Sequence, residues 1–196
     1  SPPSVSDFAE GQPAAPTAIL LIIGNELLSG KVRDENVPFL ARRLFELGVE
    51  VSAAHFVPDD LETLVSAIRT ASQQATYVLT TGGLGPTHDD ITIQAVAQAL
   101  ERKFVHSGSL ESLLEKLYGL PEGPQRTRFS TIPEGTEFIH PEGAHYPQMV
   151  VGNVYLFPGV PEVARRKFDL IADRFETTRI VSKQLKIEQR ELDIVN

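Results

Sequence analysis

Cysteine and tryptophan are absent from the 196 residues, and methionine occurs once. Without cysteine there is no disulfide, no thiol nucleophile and no thiolate metal site, which fits a reducing, cytoplasmic setting. Basic charge is scarce: 18 Lys and Arg stand against 26 Asp and Glu, for a formal net charge of −8. A broad basic face for nucleic acid is therefore not expected. The densest basic clusters, Arg42-Arg43 and Arg165-Arg166-Lys167, fall on expected helices and read as solvated faces. Long apolar runs are missing. The longest, "AILLII", is far short of the ~20 residues that span a bilayer, and no secretory leader is visible. Neither membrane nor nucleic acid is an expected partner. No HExxH occurs, Ser29 lacks a G-x-S-x-G elbow, and His55, His106, His140 and His145 lack ligand spacing. Zinc sites and hydrolase nucleophiles of those kinds drop out.

What is present is an alternation of apolar runs and amphipathic segments. Residues 1–16, rich in Pro, Ser and Ala, read as a disordered lead-in. From Thr17, "TAILLIIG" has the continuous apolar character of a strand buried on both faces. In "DENVPFLARRLFELG", Phe39, Leu40, Leu44 and Leu47 recur at helical spacing and Gly48 stands where the helix should end. Pro38 fits only a first turn, so the helix is expected to start near Asn36. "VEVSAAHFV" follows as a second strand. "PDDLETLVSAIRTASQ" predicts a second helix, with Asp59 the expected N-cap and Glu62 at capping-box spacing. "TYVLTT" is a third strand and "ITIQAVAQALE" a third helix. This β-α-β-α-β-α order predicts a parallel sheet with helices on its faces.

Beyond residue 104 the pattern loosens. "LESLLEKLYG" reads as a helix, and the Pro- and Gly-rich stretch 121–148 as loops and short strands laid over the sheet. "VVGNVYLF" reads as one strand, "PGVPEVARRKFDLIADRFE" opens a helix, and "TRIVSKQLKIEQ" alternates like an edge strand. Residues 179–196 read as the start of a C-terminal extension that breaks off mid-pattern.

In open α/β sheets, ligands bind beyond the carboxyl ends of the strands. Four polar segments fall there: Gly24-Asn25-Glu26 with Asp34-Glu35-Asn36, Pro58-Asp59-Asp60, "TTGGLGPTHDD", and Pro158-Gly159-Val160-Pro161. Gly82, Gly83 and Gly85, flanked by Thr81 and Thr87, can present backbone N–H groups to an anion, and the next helix points its positive end the same way. The loop is neither a P-loop nor a dinucleotide fingerprint, because the required Lys and glycine spacing are missing. Asp89 and Asp90 close it, and one of them suffices as a helix cap. His88 reads as an exposed loop histidine.

A carboxylate about 6 Å from a phosphate charge repels it by roughly 3 kcal/mol at an effective dielectric of ~20. Several acids around a phosphate cradle thus oppose binding unless a divalent cation, such as Mg²⁺, Mn²⁺ or Co²⁺, bridges the two. Asp34, Asp59, Asp89 and Asp90 are the candidate metal ligands, and Asp59 and Asp90 the candidate catalytic pair. Gly24, Glu26, Asn36, Thr81, Gly82, Gly83, Gly85, Thr87, Pro158 and Gly159 are the candidate ligand-binding residues.

Together, "IIGNELLSGKVRDEN", "VPDD", "LTTGGLGPTHDDIT" and "LFPGVP" resemble the MoaB/Mog-like molybdopterin-binding domain family. Within it they are most similar to the N-terminal domain of CinA (competence/damage-inducible protein A) and the molybdopterin-binding-like domain of eukaryotic FAD synthases. The resemblance runs from about Thr17 to Phe175 at least, with the domain expected over residues 17–178. It implies a three-layer α/β/α fold with a mostly parallel, mixed sheet, a homo-oligomer (dimer or trimer), and a nucleotide or pterin ligand, molybdopterin or FAD. By analogy, functional aspartates fall at Asp59 and Asp90, and the pterin phosphate at Gly82, Gly83 and Gly85. In the CinA and FAD-synthase branch the implied activity is metal-dependent hydrolysis of FAD or ADP-ribose pyrophosphates. Molybdopterin adenylylation and a catalytically silent nucleotide-binding module are the alternatives. Two positions depart from the branch: Asn25 stands where it carries Asp, and Asp34-Glu35-Asn36 where it reads Asp-Thr-Asn.

Overall fold

A computed structural model of the chain describes residues 14–84, 91–119, 121–139 and 147–176. The element order is β1 (Thr17–Ile23), α1 (Asn25–Leu28), α2 (Asn36–Glu46), β2 (Glu50–Val57), α3 (Leu61–Gln74), β3 (Tyr77–Thr81) and α4 (Thr92–Ala99). It continues with β4 (Phe104–His106), α5 (Gly108–Tyr118), α6 (Pro124–Phe129), β5 (Thr131–Pro133) and β6 (Thr136–Ile139). Last come β7 (Gln148–Val151), β8 (Val154–Phe157), α7 (Pro161–Leu170) and a 3₁₀ turn, Ala172–Phe175.

β1 is uninterruptedly apolar because it has no solvent face. It lies between β2 and β3, parallel to both, in a six-stranded sheet ordered β2-β1-β3-β8-β7-β6. Ala18, Leu20 and Ile22 pack with Leu40 and Leu44 of α2 and Phe168 of α7. Ile19, Leu21 and Ile23 face the other way, onto Leu64 and Ile68 of α3, Val96 of α4 and Leu114 of α5. The period of two that places alternate side chains on opposite faces thus supplies two cores from one strand. The layers are α/β/α, as expected.

Two stretches differ from their sequence reading. "VVGNVYLF" is not one strand but most of a hairpin: β7 and β8 run antiparallel, with Val151 opposite Val154 across Gly152-Asn153. All four residues of each strand are buried, so no polar alternation betrays the turn. The Asn153 amide donates to the Ser72 and Ala75 carbonyls, both at 3.0 Å, which anchors the turn beneath α3. β8 then joins β3 in parallel, and β7 is the reversed strand that makes the sheet mixed. In the Pro- and Gly-rich stretch, β6 is an integral edge strand paired with β7, and Pro124 opens a short helix that the composition concealed. Among the described residues, β4 and β5 form a separate two-stranded ribbon. Most of the lead-in and the alternating segment after residue 177 lie outside the described residues. No described helix is long and apolar enough to cross a membrane.

Candidate ligand site at the carboxyl ends of the strands

β1, β2, β3 and β8 are parallel, so their carboxyl ends open on one edge of the sheet. The helices after β1 and β8 pack on one face, and α4, after β3, on the other. That divergence on either side of β3 leaves a crevice at the sheet's edge.

The Gly24 N–H donates to the Val57 carbonyl at 3.1 Å, extending the ladder one residue past β1 before α1 begins. The next residue, Asn25, makes a reciprocal pair with Asp59. The Asn25 N–H donates to Asp59 Oδ2 at 3.0 Å, and the Asp59 N–H donates to Asn25 Oδ1 at 3.1 Å. Asn25 therefore ties the β1 and β2 loops together through its side-chain oxygen. An aspartate carboxylate could accept that same N–H, but only with a second negative charge beside Asp59.

The expected cap of α3 moves by one residue. Asp60, not Asp59, is the N-cap, accepting the Thr63 N–H at 2.9 Å and the Thr63 hydroxyl on the same oxygen. The hydroxyl bond, then the amide bond, hold the exposed Asp60 carboxyl below its usual pKa. Asp59 is half-buried and bonded to Asn25 instead. Two adjacent acids thus divide two tasks that sequence spacing assigned to one.

Asp34 has a structural task too. Its Oδ1 accepts the Asn36 N–H at 3.1 Å and its Oδ2 the Val37 N–H at 3.0 Å, so both oxygens close the start of α2. Asp34→Ala is expected to cost about 1 kcal/mol, the usual loss of a helix cap. An unchanged urea midpoint would remove this assignment. Asn36 is buried, and its amide donates to the Gly159 carbonyl at 3.0 Å, joining the α2 start to the β8 loop. Glu26 is exposed in α1, its carboxylate lying over Gly24.

Gly82 has φ +100°, and a Cβ there would meet the Ile23 carbonyl oxygen inside van der Waals contact. A Cβ on Gly159 would lie 3.3 Å from Gly82 Cα. Glycine is required here because three loops converge backbone to backbone. The Gly82 N–H donates to the Phe157 carbonyl at 3.0 Å, so its amide is already engaged. Among the described residues, the Gly83 and Leu84 N–H groups find no backbone acceptor; they are the nest amides in view. Buried Thr92 binds both glycines from α4: its hydroxyl donates to Gly82 O at 2.9 Å and its N–H to Gly83 O at 3.2 Å. Thr81 is buried at the end of β3 with an unpartnered hydroxyl. Gly85, Thr87, His88, Asp89 and Asp90 lie outside the described residues. Among those described, no three of His, Asp and Glu gather as a metal cluster.

Beside Gly83 and Pro158 opens a cavity of about 890 Å³ with an apolar floor that includes Ile132, Met149 and Leu156. Its polar lining includes Lys167, Arg128, Gln94 and Gln98. Lys167 donates to the Pro147 carbonyl at 3.1 Å, and burial pushes its pKa down to about 8. The cluster expected as a solvated face is thus divided. Arg165 pairs with Glu35 at 2.8 Å over the Phe39 ring, Arg166 is exposed, and Lys167 turns inward. No spacing signal marks it, because the wall it joins comes from a distant strand and loop. Arg43 likewise pairs with Glu46 at 2.8 Å and Asp169 at 3.2 Å.

Residues 19–177 match the model of a family described as "probable molybdopterin binding domain". The chain belongs to this family. A protein of Archaeoglobus fulgidus is 35% identical over 178 residues, covering 91% of this chain and 77% of its own. A probable FAD synthase of Caenorhabditis elegans is 32% identical over 184 residues, covering 83% of this chain but only 36% of its own. Among solved structures, the CinA protein of Thermoplasma acidophilum, described as of unknown function, superposes with a TM-score of 0.73 at 28% identity. It covers 82% of this chain and 98% of its own. MoaB of Thermus thermophilus has a TM-score of 0.52 at 21% identity, covering 80% and 89%, a likeness of fold alone. The chain is therefore a member of the molybdopterin-binding domain family, similar to CinA and to part of FAD synthases, with a MogA/MoaB-like architecture.

Proposed function

We propose that the crevice binds the diphosphate of an ADP-linked dinucleotide, of the FAD or ADP-ribose type, and that the domain hydrolyses it with a divalent cation. The observation that carries this reading is the division of labour at Asp59-Asp60. Asp60 caps α3, while Asp59 is held at the mouth by Asn25. A magnesium-like ion needs only one or two carboxylates beside phosphate oxygens and water, so Asp59 fits it, with Asp89 and Asp90 as further candidates. Bound there, the cation would neutralise diphosphate charge. The Gly83 and Leu84 amides orient the nonbridging oxygens; water attacks one phosphorus as its bond to the bridging oxygen breaks, and the water's proton goes to the departing phosphate, leaving two monophosphates. The test is hydrolysis of FAD and ADP-ribose with Mg²⁺, Mn²⁺ or Co²⁺. Turnover that depends on the metal is expected; none with any of the three would end the proposal.

A second reading, binding or adenylylation of molybdopterin, is favoured by the family description itself. It predicts tight pterin binding without cleavage of free dinucleotides. Association of copies belongs to the proposal as well. β2 is an edge of the described sheet, and Phe56 on it is 46% exposed, a surface that edge pairing would cover. Light scattering at micromolar protein should give a dimer or trimer mass; a monomer mass contradicts it.

A further inference from the structure

Asn36 is a buried polar side chain, 4% exposed, and it uses only half of its amide. Nδ2 donates to the Gly159 carbonyl at 3.0 Å, while Oδ1 is buried with no partner. A buried acceptor left unpaired costs stability, and an apolar side chain of the same shape avoids that cost. What Asn36 supplies is therefore its donor, not the space it fills. The side chain also starts from a fixed backbone, because the Asn36 N–H donates to Asp34 Oδ1 at 3.1 Å in the turn that opens α2.

The carbonyl that Asn36 holds belongs to a residue in backbone contact with the glycine loop. A Cβ on Gly159 would lie 3.3 Å from Gly82 Cα and 3.8 Å from Gly82 N, so no side chain cushions one loop from the other. From the other face of the sheet, Thr92 of α4 holds the Gly82 and Gly83 carbonyls. The loop is gripped from two sides: α4 bonds it directly, and α2 reaches it through Gly159. Glu35 adds a second tie from the α2 start, to Arg165 of α7 at 2.8 Å, but that pair is exposed and bypasses Gly159.

Resting on the reading of the glycine loop as a phosphate site, we propose that Asn36 is a positioning residue for that site. By holding the Gly159 carbonyl it fixes the backbone of Gly82, and with it the direction of the Gly83 and Leu84 N–H groups. Direction matters as much as distance. Hydrogen bonds prefer N–H···O angles above about 150° and weaken steeply below about 120°, so a tilt of roughly 30° separates a good phosphate contact from a poor one. The unpaired Oδ1 is then a stability cost that the donor's task offsets.

The experiment compares the native chain with Asn36→Ala, Asn36→Leu and, as a control, Glu35→Gln. Amide resonances of Gly82, Gly83 and Leu84 are followed by ¹⁵N NMR without ligand, and binding of inorganic pyrophosphate with Mg²⁺ by calorimetry. Asn36→Leu keeps the volume and removes both the donor and the unpaired acceptor, so it should melt within a few degrees of the native chain. Both Asn36 variants should shift the three amides and weaken pyrophosphate binding about ten- to a hundredfold, the effect of misplacing a binding group by ~1 Å. Glu35→Gln should leave the amides in place and the affinity within about twofold. Unmoved amides in Asn36→Leu, shifted amides with unchanged affinity, or an equal loss in Glu35→Gln each overturn the positioning role and leave the phosphate site standing. A large fall in the melting temperature of Asn36→Leu makes the amide structural and overturns the role as well. A native chain that binds no pyrophosphate overturns the phosphate site, and the proposal with it.

Discussion

Gly82→Ala should destabilise the chain by about 3–5 kcal/mol, combining strain at positive φ with forced overpacking. The new methyl would meet the Ile23 carbonyl oxygen, a backbone atom at the end of β1. No rotamer change can relieve a backbone contact. β1 and β3 would have to part at their carboxyl ends, where the Gly82 N–H holds Phe157 and the Thr92 hydroxyl holds Gly82 O. For a domain whose total stability is about 5–15 kcal/mol, this is a large fraction, and the variant is expected in the insoluble fraction or with a much lower urea midpoint. Gly30→Ala is the control. Gly30 also has positive φ, at +73°, but nothing lies within 4 Å of the added methyl, so only the conformational penalty of roughly 1–2 kcal/mol should appear. Equal midpoints for the two variants would mean that the loops do not meet as described.

The adjacent acids of "PDD" should separate when exchanged one at a time. Asp59→Asn keeps shape and hydrogen-bonding capacity, so Asn25 can stay tethered, while the charge at the mouth is removed. On the proposed hydrolysis, turnover of FAD or ADP-ribose should fall on the order of a hundredfold, because a carboxylate that would hold the cation is lost. The melting temperature should hardly move. Asp60→Ala should do the reverse. It removes the acceptor of the Thr63 N–H and hydroxyl, lowers the denaturation midpoint and leaves turnover within about twofold. The lowered Asp60 pKa sets the sign with pH: the cap's contribution is full above the unfolded value and is lost in acid, as the folded carboxylate is protonated. Matching activity losses in both variants would show that the two carboxylates are not divided in this way, and the catalytic assignment of Asp59 would fall with it.

Several features were legible because they depend on neighbours in sequence. β1 announces itself by seven residues with no polar alternation, and α2 by Leu40 and Leu44 one turn apart with Pro38 in its first turn. The hairpin at Gly152-Asn153 was hidden for the same reason that β1 was clear. When both faces of a strand are buried, apolar character runs straight through a tight turn. Helix α6 was hidden because Pro and Gly, usual markers of loops, also open helices.

By itself, the order of apolar and amphipathic segments determined the layered α/β architecture and the edge of the sheet where polar loops collect, since alternating strands and helices have few ways to bury two faces at once. Which aspartate caps and which faces the mouth was decided only by the folded backbone, because Asp59 and Asp60 are chemically alike and differ only in what Asn25 and Thr63 bring to them. Lys167, too, acquired its meaning in three dimensions. A lysine on a helix is a solvated charge until a distant carbonyl, here that of Pro147, and an apolar cavity close around it. Local pattern sets which face of an element is buried; only the packing of elements remote in sequence sets what that face encloses.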